Sequence, residues 1–182
     1  MTKAIITLPQ RCLGCKTCEI ECALAHTTAR TLVDALYCGS LLQPRVHVEP
    51  LGDFGMPMQC RHCEDAPCVV VCPTGAIHRF SDHSLVLLDA ENCIGCRLCL
   101  LVCPFGVIEM ARTGKAVVKC DQCIQRTELG QEPACVAGCP TGALQFDEIA
   151  DYVQQRRREA AVRLATAGQI SGSLVEMHDG SN

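Results

Sequence analysis

The sequence predicts an α+β fold made of small repeated units that close around bound metal instead of around a large apolar core. The 182 residues include 17 cysteines but only four Phe, two Tyr and no Trp. The cysteines fall into four similar groups, each preceded by a short β-favouring segment. With the cysteines set aside, the apolar fraction falls from 48% to about 39%, a small core for this length. We therefore expect metal to fill part of the interior.

Charge and the N-terminal residues restrict the class of protein. A formal net charge of −4 disfavours nucleic acid as a partner, because the phosphate backbone is itself negative. The first residues, MTKAIITLPQ, contain neither an apolar signal-peptide core nor a twin arginine. No apolar run reaches the length of a membrane span. We expect a cytoplasmic protein with no direct membrane span, associated with a membrane only through a partner complex.

The internal repeat is visible in the cysteine spacing. Each group opens with C-x2-C and closes with C-x3-C, and the middle spacing is two, four, two and eleven residues. Sixteen of the 17 cysteines belong to these groups. Group one is Cys12, Cys15, Cys18 and Cys22; group two is Cys60, Cys63, Cys68 and Cys72; group three is Cys93, Cys96, Cys99 and Cys103; group four is Cys120, Cys123, Cys135 and Cys139.

The flanking residues complete the repeating unit. β-favouring segments lie at residues 4–7, 46–48, 85–88 and 116–118, and groups two to four continue as CPTGAI, CPFGVI and CPTGAL. The unit is therefore a strand, a cysteine loop, one helical turn and a Pro-Gly turn, with another strand to follow.

The spacing favours iron–sulfur clusters over other cysteine chemistry. Three cysteines two residues apart can wrap one cuboidal cluster, and the fourth lies one helical turn further on. That fourth sulfur can close the same cluster, or the following proline can end the turn so that it ligates a neighbouring cluster. Groups one and three lack the second knuckle of a zinc ribbon. Disulfides are not expected in a chain without an export signal.

Motifs for substrate chemistry are missing. No two glycines are two residues apart, so the sequence has no dinucleotide fingerprint, and it contains no phosphate loop, H-E-x-x-H or G-x-S-x-G. If every cluster has four thiolate ligands, no iron is open to substrate. We therefore predict an electron carrier instead of an enzyme, and assign no catalytic residue.

The motifs resemble a known family over about residues 3–146. CLGCKTCEIECALAH, QCRHCEDAPCVVVCPTGAI, CIGCRLCLLVCPFGVI and KCDQC with PACVAGCPTGAL are similar to the four-cluster, ferredoxin-like electron-transfer subunits of molybdopterin oxidoreductases, hydrogenases and carbon monoxide dehydrogenase. Each repeat looks like half of a bacterial two-cluster ferredoxin. The short chain, the compact link between groups three and four and the Arg-rich C-terminal segment most resemble the electron-carrier subunit of carbon monoxide dehydrogenase.

The resemblance implies four 4Fe-4S clusters and a specific exchange of ligands. Groups one and four form one pair, groups two and three form the other, and within each pair the last cysteines are exchanged. The implied sets are Cys12, Cys15, Cys18 and Cys139; Cys120, Cys123, Cys135 and Cys22; Cys60, Cys63, Cys68 and Cys103; and Cys93, Cys96, Cys99 and Cys72.

The same resemblance implies nested ferredoxin-like (βαβ)2 modules. Residues 1–59 and 110–146 would form an outer module, and residues 60–109 would be inserted in it. Beyond these, residues 147–167 lack Gly and Pro and predict a helix, which either packs on the body or docks on a partner. Residues 168–182 are predicted to be a flexible tail.

Several residues depart from the repeat. Glu19 and Glu21 replace apolar residues between the last two cysteines of group one, where they either lower a cluster potential or form a solvated helix face. The apolar turns of groups two and three are expected to exclude water. His62 and His26 either hydrogen-bond cluster sulfur or make structural contacts. Cys38 fits no group; it is a small buried hydrophobe or a ligand to a further metal shared with a partner.

The function that the resemblance implies is a relay of single electrons through four 4Fe-4S clusters. The expected route runs from carbon monoxide dehydrogenase to a hydrogenase or another acceptor. The alternative is an electron-transfer subunit of a formate dehydrogenase, a hydrogen-dependent CO2 reductase or a formate hydrogenlyase complex. In each case the partner is a catalytic redox subunit.

Overall fold

The computed structural model describes residues 3–29, 31–80 and 85–167, and the predicted tail at 168–182 lies outside them. The strands are β1 (Lys3–Thr7), β2 (Val46–Leu51), β3 (Phe54–Gln59), β4 (Ile77–Phe80), β5 (Leu85–Leu88), β6 (Glu109–Met110), β7 (Val117–Val118) and β8 (Leu144–Glu148). The helices are α1 (Thr17–Ala25), α2 (Leu32–Tyr37), α3 (Pro67–Val70), α4 (Leu98–Val102), α5 (Ile124–Thr127), α6 (Ala134–Ala137) and α7 (Ile149–Ala167).

Among the described residues the strands form sheets of only two strands each. β1 pairs with β8, so the strand before the first cysteine group lies beside the strand after the last group. The other pairs, β2–β3, β4–β5 and β6–β7, are antiparallel. Their registers place Val46 opposite Gln59, Ile77 opposite Leu88 and Glu109 opposite Val118. The predicted mixture of helices and small sheets is confirmed.

The predicted positions of the elements are confirmed with one exception. Helices α1, α3, α4 and α6 each begin just before the third cysteine of a group, and β1, β5 and β7 lie where β-favouring residues precede a group. The segment at 46–48 does not lead directly into group two, because β3 follows it. β3 buries Gly55, Pro57 and Gln59, and these three residue types give no apolar alternation that a sequence pattern can detect.

Helix α2, which the repeat did not predict, has a local cause. The Thr31 hydroxyl accepts a hydrogen bond from the Asp34 backbone N–H at 3.1 Å and caps the first turn. Ala35 is buried, whereas Cys38 at the end of the helix is exposed. The interpretation of Cys38 as a small buried hydrophobe is therefore wrong, because this short helix buries only its Ala35 side.

Two apolar clusters form the interior. The first joins residues around groups one and four, namely Ile5, Val46, Val48, Val136 and Leu144 with Cys12, Cys18, Cys22, Cys120 and Cys135. The second joins residues around groups two and three, namely Ile77, Val86, Ile108 and Val117 with Cys68 and Cys99. We call these the outer and the inner cluster of apolar residues. Cysteines are thus part of the packed interior in both.

The apolar turns of groups two and three are only partly buried. Val69 and Leu100 pack half-buried against the inner apolar cluster, whereas Val70 and Leu101 are 87% and 81% exposed. A single helical turn presents its successive residues to different sides. The expectation that these turns exclude water is therefore wrong at their central residues, Val70 and Leu101.

The chain divides into two compact units. Residues 5–146 form the unit that contains every cysteine, and the described part of the other unit is residues 3–4 and 147–167. Within that second unit α7 runs for 19 residues without Gly or Pro, close to the predicted segment. No helix among the described residues combines the length and apolar character needed to cross a membrane.

Candidate metal centres

The four C-x2-C loops share one backbone conformation. In each loop the residue before the second cysteine has a positive φ: 68° at Gly14, 48° at His62, 68° at Gly95 and 56° at Gln122. A left-handed residue at this point turns the chain sharply between the two cysteines. The repeat seen in the cysteine spacing therefore extends to the local backbone, including the two loops in which His or Gln replaces glycine.

Three cavities are each lined by four cysteines, three from one group and the last from another. With their open mouths included, they enclose about 290, 330 and 300 Å³. The group-one cavity contains Cys12, Cys15, Cys18 and Cys139; the group-two cavity contains Cys60, Cys63, Cys68 and Cys103; the group-three cavity contains Cys93, Cys96, Cys99 and Cys72. The fourth cysteine in each cavity comes from the group that the family resemblance implies.

The remaining four cysteines of the groups interact with one another. Burial raises the pKa of the Cys135 thiol, and the neighbouring Cys120, Cys22 and Cys123 raise it further. Burial also raises the pKa of Cys120, with Cys22 again among the contributors. Cys22 from group one is therefore close to the sulfurs of group four.

Burial sets the protonation of the third cysteine in each group. It is the largest cause of the raised pKa of Cys18, to about 12, and of Cys99, to about 11. The pKa values of Cys68 and Cys135 are also raised, mainly by burial. In the metal-free protein these thiols are protonated at neutral pH. Metal ligation requires the thiolate, so binding displaces their protons.

Hydrogen-bond donors surround the last cysteine of groups two and four. Burial alone would raise the pKa of Cys72 and Cys139, but backbone N–H groups and the hydroxyls of Thr74 and Thr141 lower both pKa values overall. Each hydroxyl lies 3.8 Å from its cysteine sulfur. Group three has Phe105 at the matching position, so Cys103 lacks this hydroxyl. The CPTG and CPFG turns therefore give their sulfurs different polar surroundings.

A charged network surrounds Cys22. His26 lies against the chain at Cys22, with Nδ1 2.7 Å from the Cys22 carbonyl oxygen and 3.9 Å from its sulfur. His26 Nε2 is 3.1 Å from Asp121 Oδ1, and Arg45 Nη1 donates to Asp121 Oδ2 at 2.5 Å. His26 makes both kinds of contact: its short bonds go to a carbonyl and a carboxylate, and its Nδ1 also lies within hydrogen-bond distance of the Cys22 sulfur.

The charges in this network support one another. Burial opposes a charged imidazole, but the hydrogen bonds with Asp121 and Cys22 outweigh it and raise the pKa of His26 to about 9. Burial likewise opposes the Asp121 carboxylate, but the bond with His26 and the charge of Arg45 lower its pKa well below the usual range. The sequence patterns did not single out Asp121 or Arg45. The position of Asp121 between Cys120 and Cys123 could have indicated a role beside group four, whereas no sequence feature marked Arg45.

Glu19 is not part of a solvated helix face. Its carboxylate accepts a hydrogen bond from the Val48 backbone N–H at 2.6 Å and lies 3.8 Å from Lys16 Nζ. Its negative charge also raises the pKa of Cys18, after burial as the larger cause. This contact places Glu19 where its charge acts on a group-one sulfur, as the tuning hypothesis requires.

His62 makes a structural contact through one ring nitrogen. Its Nδ1 accepts a hydrogen bond from the Val86 backbone N–H at 3.1 Å, and Nε2 is buried without a partner among the described residues. Burial, followed by the charge of Lys119, lowers the pKa of His62 to about 3. His62 is therefore neutral and joins the group-two loop to β5.

The donor sets fit iron–sulfur clusters better than single metal ions. Four thiolates on one zinc ion lie about 3.8 Å apart, given a Zn–S bond of about 2.3 Å. Within the described residues, three cysteine sulfurs never lie inside 4.8 Å of one another; the only tight trio of potential ligands is His26, Asp121 and Cys123. Thiolate ligands spaced more widely than this suit a multinuclear cluster.

Comparison with known proteins decides the family. The profile of the 4Fe-4S dicluster domain matches residues 53–149. The chain belongs to the 4Fe-4S dicluster family. The prediction of 4Fe-4S cofactors is thereby confirmed, and this dicluster protein carries more than one cluster.

Relatives of the dicluster protein include an iron–sulfur protein, an electron-transport protein and a subunit of a reductase. The protein is 39% identical over 177 residues to an iron–sulfur protein of Rhodospirillum rubrum, covering 91% of this chain and 89% of the relative. It is 35% identical to the electron transport protein HydN of Escherichia coli, covering 89% and 99%. It is 36% identical to a subunit of the anaerobic dimethyl sulfoxide reductase of Escherichia coli, covering 84% and 76%. The dicluster protein is thus an iron–sulfur electron-transfer protein, and one of its relatives is a subunit of a reductase complex.

Proposed function

We propose that this protein relays single electrons through four 4Fe-4S clusters held by the four exchanged cysteine sets. The observation that carries the proposal is the composition of the three cavities. Each combines the first three cysteines of one group with the last cysteine of another. The fourth set, Cys120, Cys123, Cys135 and Cys22, is supported by the charge of Cys22, which contributes to the raised pKa values of Cys120, Cys123 and Cys135.

The two apolar clusters support the nested arrangement. The outer apolar cluster contains cysteines of groups one and four, and the inner apolar cluster contains cysteines of groups two and three. The pairing of β1 with β8 joins the two ends of the outer part. We assign residues 1–59 and 110–146 to an outer module and residues 60–109 to an inserted module.

The protein itself positions the ligands and limits water. Each cluster, when bound, accepts and releases one electron. Around the cavities, buried side chains such as Val48, Val86 and Val117 reduce contact with solvent. Backbone N–H groups donate to sulfur, from Arg45 to Cys22 at 3.2 Å and from Ile77 to Cys72 at 3.5 Å. Such donors stabilise negative charge on the sulfurs and raise the reduction potential.

Ligand exchange is tested by serine substitutions in the reconstituted full-length chain. We expect about sixteen irons per chain if four 4Fe-4S clusters assemble. Cys139→Ser should alter the EPR signal of the centre that Cys15→Ser alters, and leave intact the centre that Cys120→Ser alters. Cys38→Ser is the matched control, because Cys38 belongs to no group, and it should retain full iron. If Cys139→Ser and Cys120→Ser instead alter the same centre, each group closes its own cluster and the exchange is wrong.

For the partner we propose carbon monoxide dehydrogenase as donor and a hydrogenase as acceptor. The support is the resemblance carried by the short chain, the close spacing of groups three and four and the Arg-rich segment at 147–167. The test is anaerobic reduction of the reconstituted chain by purified carbon monoxide dehydrogenase and CO, followed as loss of visible absorbance. Formate dehydrogenase with formate is the parallel assay for the alternative partner. Faster reduction by formate dehydrogenase would overturn the carbon monoxide route.

A further inference from the structure

Lys119 is a buried cation where the inner and outer apolar clusters meet. Its residue is only 3% exposed. Its Nζ donates to the backbone carbonyl of Val86, and to that of Cys120 at 2.9 Å. Val86 belongs to the inner apolar cluster and lines the group-two cavity, whereas Cys120 belongs to the outer apolar cluster. The ammonium group therefore lies between a cavity wall of one half and the first group-four cysteine of the other.

No carboxylate pairs with Lys119 in the part of the chain that the structure describes. Asp121, the acidic residue nearest to it in sequence, is already bound by Arg45 and His26. Burial of an ammonium group with carbonyl partners alone is costly. A stable buried cation therefore requires negative charge from another source.

The cysteine sets on both sides can supply that charge. A 4Fe-4S core with four thiolates is a net anion, because the thiolates outnumber the positive charges of the core. The geometry places Lys119 between these sets, because its Nζ donates to the carbonyl of Val86, which lines the group-two cavity, and to the carbonyl of Cys120, a member of the fourth set.

We propose that Lys119 is the counter-cation shared by two cysteine sets, Cys60, Cys63, Cys68 and Cys103 on one side and Cys120, Cys123, Cys135 and Cys22 on the other. The assignment rests on the proposed function and adds to it a positioning residue that ligates no metal. In each relay step one electron arrives from the donor protein and one leaves for the acceptor, and no bond is made or broken. The fixed positive charge stabilises the extra negative charge of the reduced state at both sets.

The test compares neutral and charged replacements in the full-length, reconstituted chain. Lys119→Met removes the charge and the hydrogen bonds, Lys119→Gln removes the charge but keeps an N–H donor, and Lys119→Arg keeps the charge. The matched control is Lys115→Met, because Lys115 lies shortly before Lys119 in the chain but is exposed and lines none of the three cavities. Potentiometric EPR and iron analysis are carried out on every variant.

We expect both neutral variants to lower the potentials of two centres and leave the other two unchanged. For each of the two affected centres, the ratio of reduced to oxidised protein at a fixed ambient potential should fall about threefold to tenfold. This is the effect expected when one charge is removed at a moderate distance in a medium of intermediate dielectric constant. Lys119→Arg should retain the original potentials. Lys115→Met should shift no centre by that amount, since solvent screens the charge of this exposed side chain.

Three results would overturn the assignment. Neutral variants with full iron and unchanged potentials would show that the charge acts on neither set. Loss of iron from both neutral variants would assign Lys119 to assembly instead of tuning. Fewer than four centres in the unaltered chain would overturn the proposed ligand sets, and with them this assignment; the iron count of the unaltered chain separates that failure from the first two.

Discussion

The Glu19 carboxylate accepts a hydrogen bond from the Val48 backbone N–H at 2.6 Å, and this contact joins the first turn of α1 to β2. Val48 lines the group-one cavity, as does Cys18. A negative charge is thus fixed next to the sulfurs of group one. No other group carries a glutamate at the corresponding place, where groups two, three and four have Val69, Leu100 and Val136.

Replacing Glu19 by glutamine should raise one reduction potential. The amide oxygen can still accept from Val48, so the fold is retained while one negative charge is removed. We expect the centre associated with Cys12, Cys15 and Cys18 to shift upward by about 30–60 mV, a threefold to tenfold change in its reduced ratio. Glu49→Gln is the control, because Glu49 is an exposed glutamate on β2, and potentiometric EPR is the measurement. No shift in any centre would contradict the tuning role.

A methyl group at Gly55 should damage the group-one site. A Cβ there would lie 2.8 Å from Val48 Cγ1, 3.0 Å from Cys12 Sγ and 3.1 Å from the Gly14 Cα. Two of these three atoms belong to the cysteine loop, so Gly55→Ala must displace it. Overpacking of this kind costs about 1–3 kcal/mol, and we expect loss of about a quarter of the bound iron.

The control for Gly55→Ala is Gly52→Ala. Gly52 has a φ of 63°, so alanine is strained there, but no atom lies within 4 Å of the new Cβ. This variant should lose stability and keep its iron. Equal loss of iron from both variants would show that backbone strain, not the contact with Cys12, is responsible.

The hydroxyls in the CPTG turns should raise two reduction potentials. Thr74→Val and Thr141→Val keep the side-chain shape and remove the hydroxyls that lie 3.8 Å from Cys72 and Cys139. We expect each variant to lower one potential by about 20–40 mV, equivalent to a neutral hydrogen bond of about 0.5–1 kcal/mol. Thr127→Val is the control, because its hydroxyl donates to the Ile124 carbonyl and not to sulfur. Identical potentials in all four proteins would exclude a role for the hydroxyls.

Removal of the metal should unfold residues 5–146. Cysteines form much of both apolar clusters, so the free energy of cluster binding contributes directly to folding. After chelation we expect far-UV circular dichroism without a cooperative thermal transition. A sharp transition in the metal-free chain would show that the apolar residues fold it unaided.

Low pH should make removal of the iron by a chelator easier. Burial raises the pKa of Cys18 to about 12 and of Cys99 to about 11, so protons compete with iron for these sulfurs throughout the neutral range. Because the raised values favour the protonated thiol, lower pH strengthens the competition and higher pH weakens it. We expect the chelator concentration for half-removal of iron to be lower at pH 6 than at pH 8. An equal concentration at both values would contradict this coupling.

The sequence predicts those parts of the molecule that repeat. Local spacing alone places Cys12, Cys60, Cys93 and Cys120 at the starts of equivalent loops, since a C-x2-C turn needs only its own residues. Non-local contacts are different. Arg45 reaches Asp121 across 76 residues, and Lys119 reaches Val86 across 33, so no motif contains both partners. Such pairs become evident only once the chain has folded.

The exposure of single side chains could not be predicted from the sequence either. The composition of α3 and α4 is uniformly apolar, yet Val70 and Leu101 face outward, because a one-turn helix has too few residues for an amphipathic period to show. The prediction for Cys38 was wrong for a similar reason. Cysteine is a residue type that favours burial, but Cys38 lies at the end of the short helix α2, where it is exposed.

The positions of the cavity cysteines in the chain also set the order in which they are synthesised. All the cysteines of the group-two and group-three cavities have been made once Cys103 is added, whereas the group-one cavity lacks its fourth cysteine until Cys139 emerges from the ribosome. A nascent chain that ends between Cys103 and Cys139 contains the first three cysteines of group one but not Cys139, the fourth cysteine of their cavity. The group-one loop is thus translated first, but its set of four cysteines is completed last. Complete ligation of iron in this cavity must therefore follow synthesis of nearly the whole cysteine-bearing region.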